Sequence, residues 1–286
     1  MLRCFFVSDL HGRLERYRAL LAAVRAQRPQ ALFIGGDLLP SPMAPFRLDG
    51  TPADFLADFL LPQLAALRDE LGDAYPRIFV ILGNDDGKFE EEAMIQAELE
   101  GYWRYLHMGR ALLDDFEVYG YAYVPPTPFQ LKDWERYDVS RFVDPGCLSP
   151  EEGRHSTPVT EQETRYATIK DDLERLTARA DLSWAIFLFH APPYKTALDR
   201  AALDGKMIDH APLDVHVGSI AVERFIRARQ PLLTLHGHVH ETARLTGQWR
   251  EEIGRTHAFT AAHDGPELAL VTFDPADLPR AERVLL

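Results

Sequence analysis

Five short apolar runs punctuate the chain, at residues 4–7, 31–34, 78–82, 184–189 and 232–235, and each stops abruptly at small or polar residues. Runs of this length and apolarity fit strands buried on both faces, as in a layered α/β core. Between them the period changes. Leu14, Tyr17, Leu20, Leu21 and Val24 recur at helical spacing, and Pro29 closes that helix. Thr51, Pro52 and Asp54 supply a cap, a first turn and a charged start for a second helix. Its inner face is Phe55, Phe59, Leu60, Leu64, Leu67 and Leu71, with a kink expected near Pro62.

The middle of the chain is less regular. Residues 89–100 fit a short helix and 117–124 a strand; Pro125, Pro126, Pro128, Phe129, Trp134, Tyr137 and Phe142 then follow without a clear period. So many aromatics want burial, so about 121–160 reads as an insertion, not a linker. It belongs either over a site, where it would shape substrate access, or on a distant sheet edge. Thr160 and Glu163 match a capping box, and Ile169, Leu173 and Leu176 continue at helical spacing. A further helix follows Gly218 and Ser219, with Phe225 and Ile226 inward and Pro231 as its stop. Residues 249–262 and 268–273 read as a hairpin finishing a sheet. With no internal repeat, residues 1–286 are expected to form one domain.

Composition narrows the function. At 46% hydrophobic and 26% charged residues the chain can build a sizeable core. A net charge of -13 argues against electrostatic capture of nucleic acid, yet tolerates a small phosphate ester if a metal supplies positive charge. Cys4 and Cys147 are the only cysteines, so no disulfide framework is implied. The opening apolar run meets Asp9 too soon for a signal peptide, and no run approaches the ~20 residues of a membrane span. A cytoplasmic protein is expected.

The chemistry gathers where the runs end. Past the fifth come His236, Gly237, His238, Val239 and His240, three imidazoles at alternate positions with a glycine that lets the backbone turn sharply. The other four end in Asp9 and His11, in Gly36 and Asp37, in Gly83, Asn84, Asp85 and Asp86, and in His190. Any one of these could be a surface turn. In open α/β sheets, however, ligands bind outside the carboxyl ends of strands, so these ends should converge.

This order, D-x-H, G-D, G-N-D-D, H and G-H-x-H, resembles the calcineurin-like metallophosphoesterases over nearly the whole span from Asp9 to His240. The resemblance implies a four-layer αββα sandwich: two mixed β-sheets packed together, with helices outside. It also implies two divalent metals, Mn favoured and Fe or Zn as alternatives. Carried over by motif, Asp9, His11 and His240 would bind one metal, Asn84, His190 and His238 the other, and Asp37 would bridge them. A metal-bridging hydroxide would then attack phosphorus in line. His236 falls outside this set and reads as strand-end packing or support for a ligand. Asp86 would either orient a neighbour or cap the segment that follows.

One position departs from the family pattern. Members that act on phosphomonoesters usually carry His where this chain has Asp85. An ionised carboxylate there would donate no proton and would repel a doubly charged monoester. The expectation is therefore a phosphodiesterase for a small diester, with Asp37, Asn84, Asp85 and His190 at the reacting centre. A metal-bound water, His210 or His216 would protonate the leaving group. The alternatives are a phosphomonoesterase or nucleotide pyrophosphatase and, outside enzymes, a protein-binding scaffold on the same fold.

Overall fold

Strand β1 (Cys4–Val7) is followed by helix α1 (Leu14–Gln27), β2 (Ala31–Gly35), α2 (Leu61–Leu71) and β3 (Arg77–Ile81). These are two consecutive strand–helix–strand crossovers, and β1, β2 and β3 accordingly lie parallel and adjacent. All but one of their residues are buried, as their apolar sequences require. The computed structural model describes residues 2–43 and 50–286.

The chain continues through α3 (Glu91–Leu99), β4 (Arg104–Tyr105), β5 (Gly109–Leu113) and β6 (Phe116–Tyr121). After the insertion come α4 (Glu161–Arg165), α5 (Ile169–Thr177), β7 (Ala185–Phe189) and the two-residue strands β8 (Met207–Ile208) and β9 (Ala211–Pro212). Then follow α6 (Ile220–Arg229), β10 (Leu233–His236), α7 (Thr242–Thr246), β11 (Arg250–Ile253), β12 (Thr256–Thr260), β13 (Ala269–Phe273) and β14 (Glu282–Leu285).

Two mixed six-stranded sheets result, in the orders β14-β13-β1-β2-β3-β4 and β11-β12-β10-β7-β6-β5. In the first, β1 to β4 are parallel, β13 runs antiparallel between β1 and β14, and β14 runs in the same direction as β1. In the second, β6, β7, β10 and β12 are parallel, with β5 and β11 antiparallel at the edges. The sheets meet along β2, β3, β6 and β7. Phe33 stacks on Phe79 within the first sheet, and Phe259 meets Phe273 edge-on between the two. Helices flank the pair, giving the expected αββα sandwich.

Local details revise the reading in four places. The second helix opens with a π-helical turn at Leu56–Leu60 ahead of Pro62, the departure a proline without an N–H invites. Its cap is Asp54, whose Oδ1 accepts from the Ala57 N–H at 2.8 Å, and not Thr51. The capping box at Thr160 forms, but its helix stops at Arg165 and a second starts at Thr168, which caps α5 itself. The tail does not make one hairpin. β11 and β12 pair at an edge of the second sheet, while β13 crosses to lie beside β1 in the first.

Strand β6 stops at Tyr121, short of 124, and β5 is hidden from a periodicity reading because Leu112 is apolar yet exposed, so its apolar positions do not mark the inner face. In the insertion, Trp134 is fully buried against His107 and Tyr123. Lys132 and Glu135 form a fully buried ion pair, and burial lifts the Glu135 carboxyl to about 7 even against Lys132 and the Thr127 donors. Asp138 ties the segment to the sandwich by accepting from Ser219 Oγ and from the Ile220 and Ala221 N–H groups at the start of α6.

Candidate metal centre

Because β1, β2 and β3 are parallel neighbours, their carboxyl ends lie side by side. β7 and β10 present theirs from the other sheet. The loops after β1 and β2 stay laced: the Asp9, His11 and Gly12 N–H groups donate to the carbonyls of Gly36, Asp37 and Leu38 at 2.8–3.0 Å. Across the sheets, the Gly237 N–H donates to the His190 carbonyl and the His238 N–H to Asp9 Oδ1. Four strand ends that are far apart in sequence thus share one hydrogen-bonded framework, and the fifth, after β3, joins it through the Asp85 N–H, which donates to Asp37 Oδ1.

One donor atom each from Asp9, His11, Asp37 and His240 lies within 4.8 Å of all the others. His11 Nε2 stands 3.1 Å from His240 Nε2, and His240 Nε2 3.3 Å from Asp9 Oδ1. Neighbouring ligands bonded at about 2.1 Å to one cation stand roughly 3.0–3.4 Å apart, so these separations suit a shared divalent ion. Asp37 links this group to a second one. Its Oδ2 lies 3.8 Å from His11 Nε2 and 3.2 Å from His190 Nε2, which is itself 3.1 Å from Asn84 Oδ1. The His238 ring meets that of His190 edge-on, 5.3 Å between centroids. The mix of carboxylate, imidazole and amide oxygen, with no sulfur, fits divalent first-row metals.

Two imidazoles are fixed through their far nitrogens. His190 Nδ1 donates to the Gly35 carbonyl at 2.8 Å, and His11 Nδ1 lies 3.2 Å from Asp85 Oδ2. Each leaves Nε2 turned inward, the arrangement that orients metal-bound histidines. Asp85 Oδ1 in turn accepts from Ser41 Oγ, and the Asp85 N–H donates to Asp37 Oδ1 at 2.8 Å. Sequence reasoning missed Ser41, whose serine signal is too common to be read alone.

The electrostatics have one theme. Burial disfavours a charged imidazole, yet the carboxylates of Asp85, Asp37 and Asp9 hold His11 up at about 9, and Asp37 and Asp9 do the same for His190. Burial likewise opposes ionisation of Asp9 and Asp37, but the surrounding imidazoles carry both below the usual carboxylate range. His238 goes the other way, pushed down to about 3 by burial and by the cationic neighbour His190. A cluster whose carboxylates favour positive charge so strongly is a favourable place for divalent cations.

The backbone is strained here. Asp9, His11, Asp37 and His238 all have left-handed φ, from 48° to 73°. Each costs about 1–3 kcal/mol, and such outliers gather at functional sites. Glycine is required beside them. A Cβ on Gly83 would collide with Asp37 Oδ1 and sit 2.7 Å from His190 Nε2.

The remaining candidates separate clearly. Fully buried His236 stacks on Phe189, with Nδ1 2.9 Å from the Ala191 carbonyl and Nε2 2.8 Å from Thr234 Oγ1; burial lowers it to about 4. It packs the strand end. Asp86 orients a neighbour: its carboxylate accepts from the Leu38, Leu39 and Gly83 N–H groups, bracing the loop that carries Asp37. Burial and the adjacent Asp37 raise it to about 7. His210 is exposed between β8 and β9. His216 is held at Nδ1 by buried Asp199, 2.7 Å away, and lines a cavity that also touches His238.

Among solved structures the chain is similar to TT1561 of Thermus thermophilus, with a TM-score of 0.56, 18% identity, and 99% of this chain and 98% of that one covered. It is also similar to the phosphopantetheinyl hydrolase PptH of Mycobacterium tuberculosis, with a TM-score of 0.50, 10% identity, and coverage of 98% and 95%. At such identities the likeness speaks for the fold. No curated protein matches it in sequence. Among the described residues, no helix is long and apolar enough to cross a membrane. The model of the calcineurin-like phosphoesterases matches residues 2–242, and the chain belongs to that family.

Proposed function

We infer that the protein is a phosphoesterase with two divalent metals, manganese favoured, and that it prefers small phosphodiesters. The observation that carries this reading is the convergence of buried and half-buried carboxylate, imidazole and amide donors from five strand ends, with Asp37 between two groups of them. Asp9, His11 and His240 would hold one ion, Asn84, His190 and His238 the other, and Asp37 both. When bound, the ions would supply Lewis-acid charge to the phosphoryl oxygens and an activated water.

The chain's own residues do the rest. Asp85 and the Gly35 carbonyl orient His11 and His190, while Asp86 braces the loop of Asp37. Asp85 accepts from Ser41 and faces His11, so it stands as an acceptor where a monoesterase-like member has a donor. That supports a singly charged diester over a doubly charged monoester. The unpaired state of Cys4 and Cys147 accords with a cytoplasmic location, and residues 1–286 read as one domain.

The test is a paired assay on manganese-reconstituted protein, with bis(p-nitrophenyl) phosphate against p-nitrophenyl phosphate. Diester turnover at least about tenfold above monoester turnover is expected, a ratio that Asp85→His should lower. Equal or better monoester turnover would sink the diester preference. So would a diester preference that rises in Asp85→His.

A further inference from the structure

A cavity of about 410 Å³ opens beside the centre, with His238 and Val239 in its wall. The volume is that of a small-molecule pocket. One side is Pro126, Phe129 and Phe142 of the insertion, and the other is Ile208, Leu213 and Val217 of the segment between β7 and α6. Phe129 is 62% and Phe142 70% exposed, a sizeable apolar surface left beside a polar centre. Covering it with an apolar group would release ordered water and favour binding.

The charges on the wall decide what enters. Asp144, Asp214 and Glu241 line the cavity, and among the described residues no lysine or arginine does. A chain of further phosphates, as in a nucleoside polyphosphate or a nucleic acid, would meet those carboxylates with only the His216 and His238 imidazoles to set against them. Tyr194 and Asp214 also satisfy each other through a 2.6 Å hydrogen bond, leaving that part of the wall little to offer a hydrated sugar.

We propose that this cavity is the specificity subsite of the centre and receives a neutral, apolar, aromatic alcohol arm of the phosphoester. The inference rests on the phosphoesterase reading. His238 is the shared element: the same residue borders the metal groups and the cavity, so the apolar space begins beside the place where a phosphoryl group at the centre would sit. The insertion thereby sets which esters are accepted, while the strand ends set the reaction.

The experiment varies the arm and holds the leaving group constant, using methyl, phenyl and 2-naphthyl p-nitrophenyl phosphate on manganese-loaded protein. From methyl to naphthyl, kcat/KM should rise about tenfold or more, since apolar pockets discriminate on this scale. Leu213→Asp should erase the rise and leave the methyl ester within about twofold of wild type. Phe142→Ser, at an exposed position, should weaken the preference in the same direction without disturbing folding. Equal kcat/KM for the three esters in the wild type would overturn the proposal, as would an unchanged preference in both variants.

Binding of 2-naphthol, followed by its own fluorescence in Asp37→Ala, separates the two readings. Naphthol binding that Leu213→Asp weakens, with no ester hydrolysed by wild type, would keep the subsite and sink the phosphoesterase reading. Ester hydrolysis without arm preference and without naphthol binding would do the reverse.

Discussion

Asp85 Oδ2 lies 3.2 Å from His11 Nδ1, joining the residue after Asn84 to an imidazole 74 positions earlier in the chain. The contact puts a carboxylate behind an imidazole that the proposed centre would use as a metal ligand. Carboxylates behind such ligands are worth about 10- to 100-fold in metal affinity. Asp85→Ala should therefore weaken Mn²⁺ binding by that factor when apo protein is titrated, and Asp85→Asn by less. Unchanged affinity in the alanine variant would remove Asp85 from this role.

Asp86 is fully buried and collects three backbone donors. Replacing it with alanine leaves those N–H groups unpaired, at a cost of about 3 kcal/mol. Urea unfolding should show a lower midpoint in Asp86→Ala, with hydrolysis falling as the Asp37 loop loosens. A variant as stable as wild type would mean that water replaces the carboxylate freely.

Gly83→Ala places a methyl group against Asp37 and His190. Hydrolysis should fall by about 100-fold or more, because ligands displaced by an ångström no longer converge. Far-UV circular dichroism should be unchanged, since the strand itself ends at Ile81. Retained activity would show that both side chains can move aside.

Acid should destabilise the protein partly through His107. Its Nδ1 accepts from the Ala122 N–H, and burial, with Lys88 and Arg136 nearby, lowers it from 6.5 to about 3. Between those values the unfolded chain binds the extra proton, so this stability is full above about pH 6.5 and is lost as pH falls toward 3. Relative to His107→Gln, metal-free wild type should lose about 1–2 kcal/mol more between pH 7 and 5. Parallel pH profiles for the two would exclude His107.

Much of this was legible in the sequence because buried parallel strands are continuous apolar runs, and their ends carry the candidate ligands. The order from Asp9 to His240 could be read without coordinates for that reason. The contacts of Asp85 with Ser41 and of Asp199 with His216 could not, since each joins loops whose approach is set only by packing. The tail misled for a related reason. Periodicity finds β12 and β13, but their partners lie on different sheets, and a local pattern does not specify which edge a strand will join. The split between α4 and α5 was hidden because a helical spacing continues across Tyr166 and Ala167 while the backbone does not.

The most direct measurement is metal content against turnover: manganese bound per chain in wild type, Asp9→Asn and Asp37→Ala, with bis(p-nitrophenyl) phosphate hydrolysis on the same samples. The proposed centre predicts two ions in wild type, one or fewer in each variant, and hydrolysis lost alongside. Full turnover by protein holding one ion or none, or two ions still bound in Asp37→Ala with turnover intact, would contradict it.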